Sequence, residues 1–152
     1  MIFKDVQVHS ILVIDDDRDD FELVSEAIRE IDPEISVSFV NKCNETEKYR
    51  NKKFDLVLLD INMPTYDGFY WLKAIREKGF INLPVIMYTN SLSPANINRA
   101  YKEGANLYFS KPENFSLLVK SLREIVKTDW SEPFRITRKY TAHGNNKIFQ
   151  LS

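Results

Sequence analysis

ILVIDDDRDD (11–20), continuing as FELVSEAIREI (21–31), decides the fold. Four apolar residues of strand length run into six positions of which five are aspartate, and a helical repeat follows at once. Phe21, Val24, Ile28 and Ile31 recur every three to four residues, with Leu23 and Ala27 widening the same apolar stripe. The stretch therefore predicts a strand, an acidic turn and a helix whose apolar face must cover a sheet. Carboxylates within about 4–6 Å of one another raise one another's pKa. Such an acidic run calls for something positive in the same space.

The same unit repeats along the chain. ISVSFV (35–40), FDLVLLD (54–60), LPVIMYT (83–89) and ANLYFS (105–110) are further strand-length runs separated by segments of helical spacing. After strand four, Ser93 suits an N-cap and Pro94 the first helical position; Ile97, Ala100 and Tyr101 are the buried face, and Gly104 fits the C-terminal stop. Phe115, Leu118, Val119, Leu122, Ile125 and Val126 form a strongly amphipathic helix, whereas NETEKYRNKK (44–53) offers little but Tyr49 to bury and predicts a short, loosely held helix. Strands alternating with helices imply a parallel sheet covered on both faces, with ligands outside the carboxyl ends of the strands. Asp15, Asp16 and Asp17 follow strand one, Asp60 strand three, Thr89 strand four and Lys111 strand five.

Composition bounds the possibilities. The 152 residues suit one domain. With 21 basic against 22 acidic residues, no overall field favours nucleic acid or an anionic membrane. Cys43 is the only cysteine, which excludes an intrachain disulfide and agrees with a reducing compartment. Lys4 and Asp5 interrupt any signal-peptide run, and no stretch approaches the ~18 apolar residues of a membrane span. The expectation is a cytoplasmic, non-membrane protein. Oxygen ligands without histidine or thiolate suit a hard cation, and one bound by a few carboxylates beside a phosphate is Mg²⁺.

IDDD (14–17), LLDINMPTYDG (58–68), MYTN (87–90) and YFSKP (108–112) resemble, in order and spacing, the receiver domain of two-component response regulators, chemotaxis-receiver-like, over residues 9–127. The resemblance implies an α/β, flavodoxin-like (βα)5 three-layer sandwich with sheet order 2-1-3-4-5, plus a C-terminal extension over 128–152. It implies Asp60 as phosphoacceptor and Mg²⁺ as cofactor, held by Asp15, Asp16, Asp60 and the backbone carbonyl of Asn62. Lys111 and Thr89 would contact the phosphoryl group. Thr89 and Tyr108 would form the switch, the threonine moving toward the phosphoryl group and the aromatic turning into the vacated space. The partners implied are a sensor histidine kinase or histidine phosphotransfer protein and a downstream effector protein. No DNA-binding segment follows residue 127, so direct DNA binding is not expected and a homodimer is a further route for output. The chain departs from the family pattern at Asn90, larger than the usual small residue.

Simpler readings compete at each position. Asp17, Asp19 and Asp20 read as a solvated helix N-terminus, where acid suits the dipole. Asp15, Asp17, Asp19 and Glu26 mimic a calcium loop, but Asp20 stands where that loop needs glycine. Pro64 and Gly68 flanking Asp67 read as a turn entering a helix. His9 and His143 have no second metal ligand nearby in sequence, and Trp71 reads as core or interface. An Asp-x-Asp at a strand end also admits a haloacid-dehalogenase-type phosphatase, which lacks its later acidic pair here. A receiver-like interaction module without phosphorylation is the other alternative. In the extension, Phe134, Ile136 and Tyr140 share a strand face and HGNN (143–146) supplies a turn before Lys147, Ile148 and Phe149, predicting a short β-hairpin. With four basic and two acidic residues, it should dock on the receiver or on a second subunit.

Overall fold

The computed structural model describes residues 8–41, 53–64 and 67–152. Five strands are present among them: β1 (Ser10–Ile14), β2 (Ser36–Val40), β3 (Leu56–Leu59), β4 (Val85–Thr89) and β5 (Leu107–Ser110). They form one parallel sheet in the order β2-β1-β3-β4-β5, as the resemblance implies. The helices are α1 (Arg18–Ile31), α2 (Gly68–Glu77), α3 (Pro94–Lys102), α4 (Phe115–Lys127) and α5 (Pro133–Tyr140). The weak helix expected over 44–53 falls outside the described residues except for Lys53, and so does Cys43.

Strand period sorts the core into two layers. Ile11, Val13, Leu56, Leu58, Ile86, Leu107 and Phe109 face α1 and α4, where Val24, Ala27, Ile28, Leu118, Leu122 and Ile125 cover them. Their neighbours Ile14, Val57, Leu59, Val85, Met87 and Tyr108 face α2 and α3 and meet Trp71, Leu72 and Ala100. Trp71 is thus a core residue. Side-chain caps fix the helix starts: Asp17 accepts from Asp19 N, Asp67 from Tyr70 N, Ser93 from Asn96 N and Asn114 from Leu117 N. Gly104, at φ +107, ends α3 where the sequence places its stop.

Two expectations need correction. Leu23 is 43% exposed rather than part of the α1 stripe, because the inward arc is already filled by Val24, Ala27 and Ile28. More consequentially, the C-terminal extension is not a hairpin. Pro133 stops α4 from continuing but serves as the first-turn proline of α5. Pro133, Ile136, Thr137 and Tyr140 then lie at helical spacing, with Pro133 buried and Ile136 and Tyr140 packed on the α1/α4 layer. Residues four apart fit both periods over so short a run; burial of this face selects the helix.

The extension docks on its own domain at two levels. At the lower end of the sheet, Asn106 is fully buried; its side-chain carbonyl accepts from Val85 N and Arg76 Nη2, and its amide donates to Thr137 Oγ1 at 3.2 Å. Thr137 in turn donates to Asn106 O at 3.1 Å. Beyond the turn at His143 and Gly144, both at positive φ, the chain runs along the open edge of β5, with Phe149 N donating to Tyr108 O at 2.7 Å.

Candidate functional site

Four of the five strands, β1, β3, β4 and β5, deliver a side chain to the same rim: Asp15, Asp60, Thr89 and Lys111. The sheet ladder continues one residue past β1 and β3, with Asp15 N donating to Val40 O and Asp60 N to Ile14 O. Both aspartates therefore emerge at the crevice between β1 and β3, where the strand order reverses and ligands of such sheets bind. Lys111 is fixed at the end of β5 by its N–H to Thr89 O, 2.9 Å.

The positive partner of the acidic run is Lys111. Its ammonium lies 2.6 Å from Asp20 Oδ2, 3.0 Å from Asp15 Oδ2 and 3.4 Å from Asp60 Oδ2, with the side chain only 8% exposed. Three N–H donors meet three carboxylates. The ammonium lies over the buried Tyr88 ring, with Nζ 5.4 Å from its centroid. Burial alone would lower the Lys111 pKa, but the hydrogen bond to Asp20 and the charges of Asp15 and Asp60 push it above the usual lysine value. Asp15 is fully buried, and burial pushes its carboxyl up to about 6, aided by the nearby Asp60 charge and opposed by Asp17 N and Lys111.

Asp20 is the member that sequence reasoning missed. It reads as one more helix-start acid, yet its contact with Lys111 is the shortest of the three. With Asp17 as N-cap, Asp20 is the third residue of α1, and helical side chains tilt toward the N-terminus, back over the rim. That position relative to the cap was the available signal. Asp17 itself is only the cap, as expected.

Asp15, Asp16 and Asp60 each offer a carboxylate oxygen, all within 4.8 Å of one another. Asp15 and Asp60 are buried and Asp16 is exposed, so the trio opens to solvent on one side. Three hard oxygen donors that converge, with room left for water, suit Mg²⁺ better than a cation needing a full protein cage. Among the described residues neither histidine joins such a cluster. Asn62 follows Asp60 by two residues and its N–H reaches Asp60 Oδ1 at 3.4 Å. Gly68 is required here for space: a Cβ would lie 2.3 Å from the Asp60 carbonyl oxygen.

Thr89 is fully buried at the end of β4, where its Oγ1 accepts from Ser91 N at 3.4 Å. Tyr108 is also fully buried, and its hydroxyl donates to Ser91 O at 2.8 Å. The loop after β4 thus connects Thr89 to Tyr108 through one residue.

Residues 11–123 match the family described as response regulator receiver domain. Response regulator protein GraR of Staphylococcus saprophyticus is 28% identical over 143 residues, which cover 93% of this chain and 61% of that protein. Sensory transduction protein BceR of Halalkalibacterium halodurans is 30% identical over 118 residues, 77% of this chain and 49% of that protein. The chain thus spans from about half to about three fifths of the length of these relatives. Among solved structures, Vibrio cholerae chemotaxis protein CheY4 is similar with a TM-score of 0.67 at 27% identity, over 78% of this chain and 98% of that one. The Mn²⁺-bound form of response regulator Rcp1 gives 0.68 at 25% identity, over 82% and 95% of the two chains.

Proposed function

The chain belongs to the response regulator receiver domain family, and on that premise we propose that Asp60 accepts a phosphoryl group from a histidine kinase or histidine phosphotransfer protein, with Mg²⁺ as cofactor. One observation carries the reading: a buried Asp60 carboxylate stands within ligand distance of Asp15 and Asp16 and 3.4 Å from the Lys111 ammonium. A carboxylate oxygen of Asp60 attacks phosphorus in line. The bond from phosphorus to the donor's imidazole nitrogen breaks, its electron pair returning to the ring, and an acyl phosphate forms. Mg²⁺, held by Asp15, Asp16, Asp60 and the Asn62 carbonyl, would neutralise charge on the phosphoryl oxygens. Lys111 already touches Asp60 and needs only to shift its third N–H onto a phosphoryl oxygen, while Asp20 and Asp15 keep its amine in place. Thr89 donates its hydroxyl hydrogen to another phosphoryl oxygen while its Oγ1 goes on accepting from Ser91 N.

The domain signals through protein contacts rather than by turning over a substrate. Relatives named as regulators favour this over a phosphatase, and the rim carries a threonine where that enzyme would need its later acidic pair. A sensor kinase and an effector protein are the partners this reading requires, in the cytoplasm; no described helix is long and apolar enough to cross a membrane.

Incubation with acetyl phosphate and Mg²⁺, followed by intact mass, tests the assignment. The chain should gain one phosphoryl group, labile to acid and to base as an acyl phosphate is, that Asp60→Asn and EDTA each abolish. Equal labelling of the Asn variant would overturn it.

A further inference from the structure

We propose that residues 145–151 are a strap whose docking is energetically coupled to the buried position of Tyr108, so that phosphorylation of Asp60 and docking of the strap strengthen each other. The proposal rests on the phosphoacceptor reading above for its trigger, but not for its geometry.

An open sheet edge presents N–H and C=O groups that must find partners. At Tyr108 both are taken. Its N–H donates to Tyr101 Oη at 3.1 Å, and its C=O accepts from Phe149 N at 2.7 Å. Tyr101 closes the circuit by donating its hydroxyl hydrogen to Lys147 O at 2.5 Å. The strap is thus bonded to Tyr108 directly and again through Tyr101.

Its side chains straddle the edge. Ile148 packs on the layer that contains Tyr108, while Phe149 meets Phe109 edge-on at 5.4 Å in the other layer. Phe109 contacts Tyr88, the ring beneath the Lys111 ammonium. Asn146 bonds Asn98 of α3, and Ser152 N bonds the Glu124 carboxylate of α4. The segment therefore bridges α3, β5 and α4 and covers the surface between them.

The Tyr108 hydroxyl is held by Ser91 O, and Ser91 N is held by Thr89. A Thr89 hydroxyl engaged by a phosphoryl oxygen draws this loop toward the rim, where the buried ring keeps its partner. If the ring swings out, the layer on which Ile148 packs loses one of its members and the β5 backbone that receives Phe149 N is disturbed. Docking therefore favours the buried ring, and by linkage the buried ring favours docking. A partner for this surface meets the chain's own strap there first.

Two measurements on the full chain test this. Without phosphorylation, Phe149→Ala, and separately the milder Tyr101→Phe, should release Tyr108, read as loss of its buried ring signals in aromatic NMR; unchanged Tyr108 signals in both variants overturn the coupling. With acetyl phosphate and Mg²⁺, amide exchange of Phe149 should slow by about 5-fold or more, the lower end of ordinary coupling. Unchanged or faster exchange in a sample that intact mass shows to be phosphorylated overturns the proposal. Absence of any adduct instead overturns the phosphoacceptor reading, and the NMR arm then decides the strap alone.

Discussion

At the scale of single residues, the buried Asp15 is the group under strain, since its carboxyl stays protonated to about pH 6. Its folded pKa lies above its unfolded one, so the native state binds the extra proton. Stability is therefore lost as pH rises from about 4 to about 6, and the loss persists above that range. In EDTA, Asp15→Asn should be more stable than the wild type at pH 7 by roughly 2–3 kcal/mol, with the difference vanishing near pH 4. Denaturant titration at the two pH values checks this. Asparagine retains the acceptor for Asp17 N and leaves Lys111 two carboxylates, so the substitution removes charge without orphaning its neighbours. The exposed Asp16 should give a much smaller gain, because water screens it.

Gly68 and Asp20 sit at the same scale. Gly68→Ala drives a methyl group into the backbone of Asp60 and should cost about 1–3 kcal/mol, as overpacking does, and slow phosphorylation because Asp60 itself must shift. Asp20→Asn removes the closest carboxylate from Lys111 and should lower the lysine pKa, visible in the NMR titration of the Lys111 side chain. An unmoved titration would mean that Asp15 and Asp60 alone hold the ammonium.

At the scale of elements, α5 depends on one buried polar knot. Thr137→Val keeps the shape of the side chain but leaves the amide and carbonyl of the fully buried Asn106 short of a partner. The expected cost is about 1–3 kcal/mol, concentrated in α5, so hydrogen exchange should accelerate there before it does in α4. This knot was not legible beforehand. An Asn at the start of a strand-length run and a Thr in an extension carry no mutual signal across 31 positions; only the fold puts them in contact. The hairpin expectation failed for a related reason. Ile136 and Tyr140 are four apart, a spacing common to both periods, and the register of the extension on α4 and β5 made the choice.

At the scale of the whole molecule, the charged groups at the ends of β1, β3 and β5 act as one electrostatic unit. Three carboxylates that repel one another in the absence of metal should bind Mg²⁺ with release of the Asp15 proton, so affinity should fall as pH drops through about 6. Melting curves with and without Mg²⁺ should separate at pH 7.5 and converge near pH 5, since a ligand that binds only the native state raises stability by an amount that grows with the logarithm of its affinity. Equal separation at both pH values would show that Asp15 does not ligate the ion.

The sequence by itself determined the alternation of strand and helix, the two-sided parallel sheet and the placing of Asp15, Asp60, Thr89 and Lys111 at strand ends. Those features are written in local period, and a strand's end fixes where its next residue points. Only the tertiary structure decided that Asp20 rather than solvent receives Lys111, that Gly68 is a matter of space at the Asp60 carbonyl, and that residues 133–151 form a helix and an edge strap. Each of these is a contact between distant parts of the chain. Local pattern carries no information about it, because the energy that selects it, burial and the satisfaction of buried polar groups, exists only after the sheet has assembled.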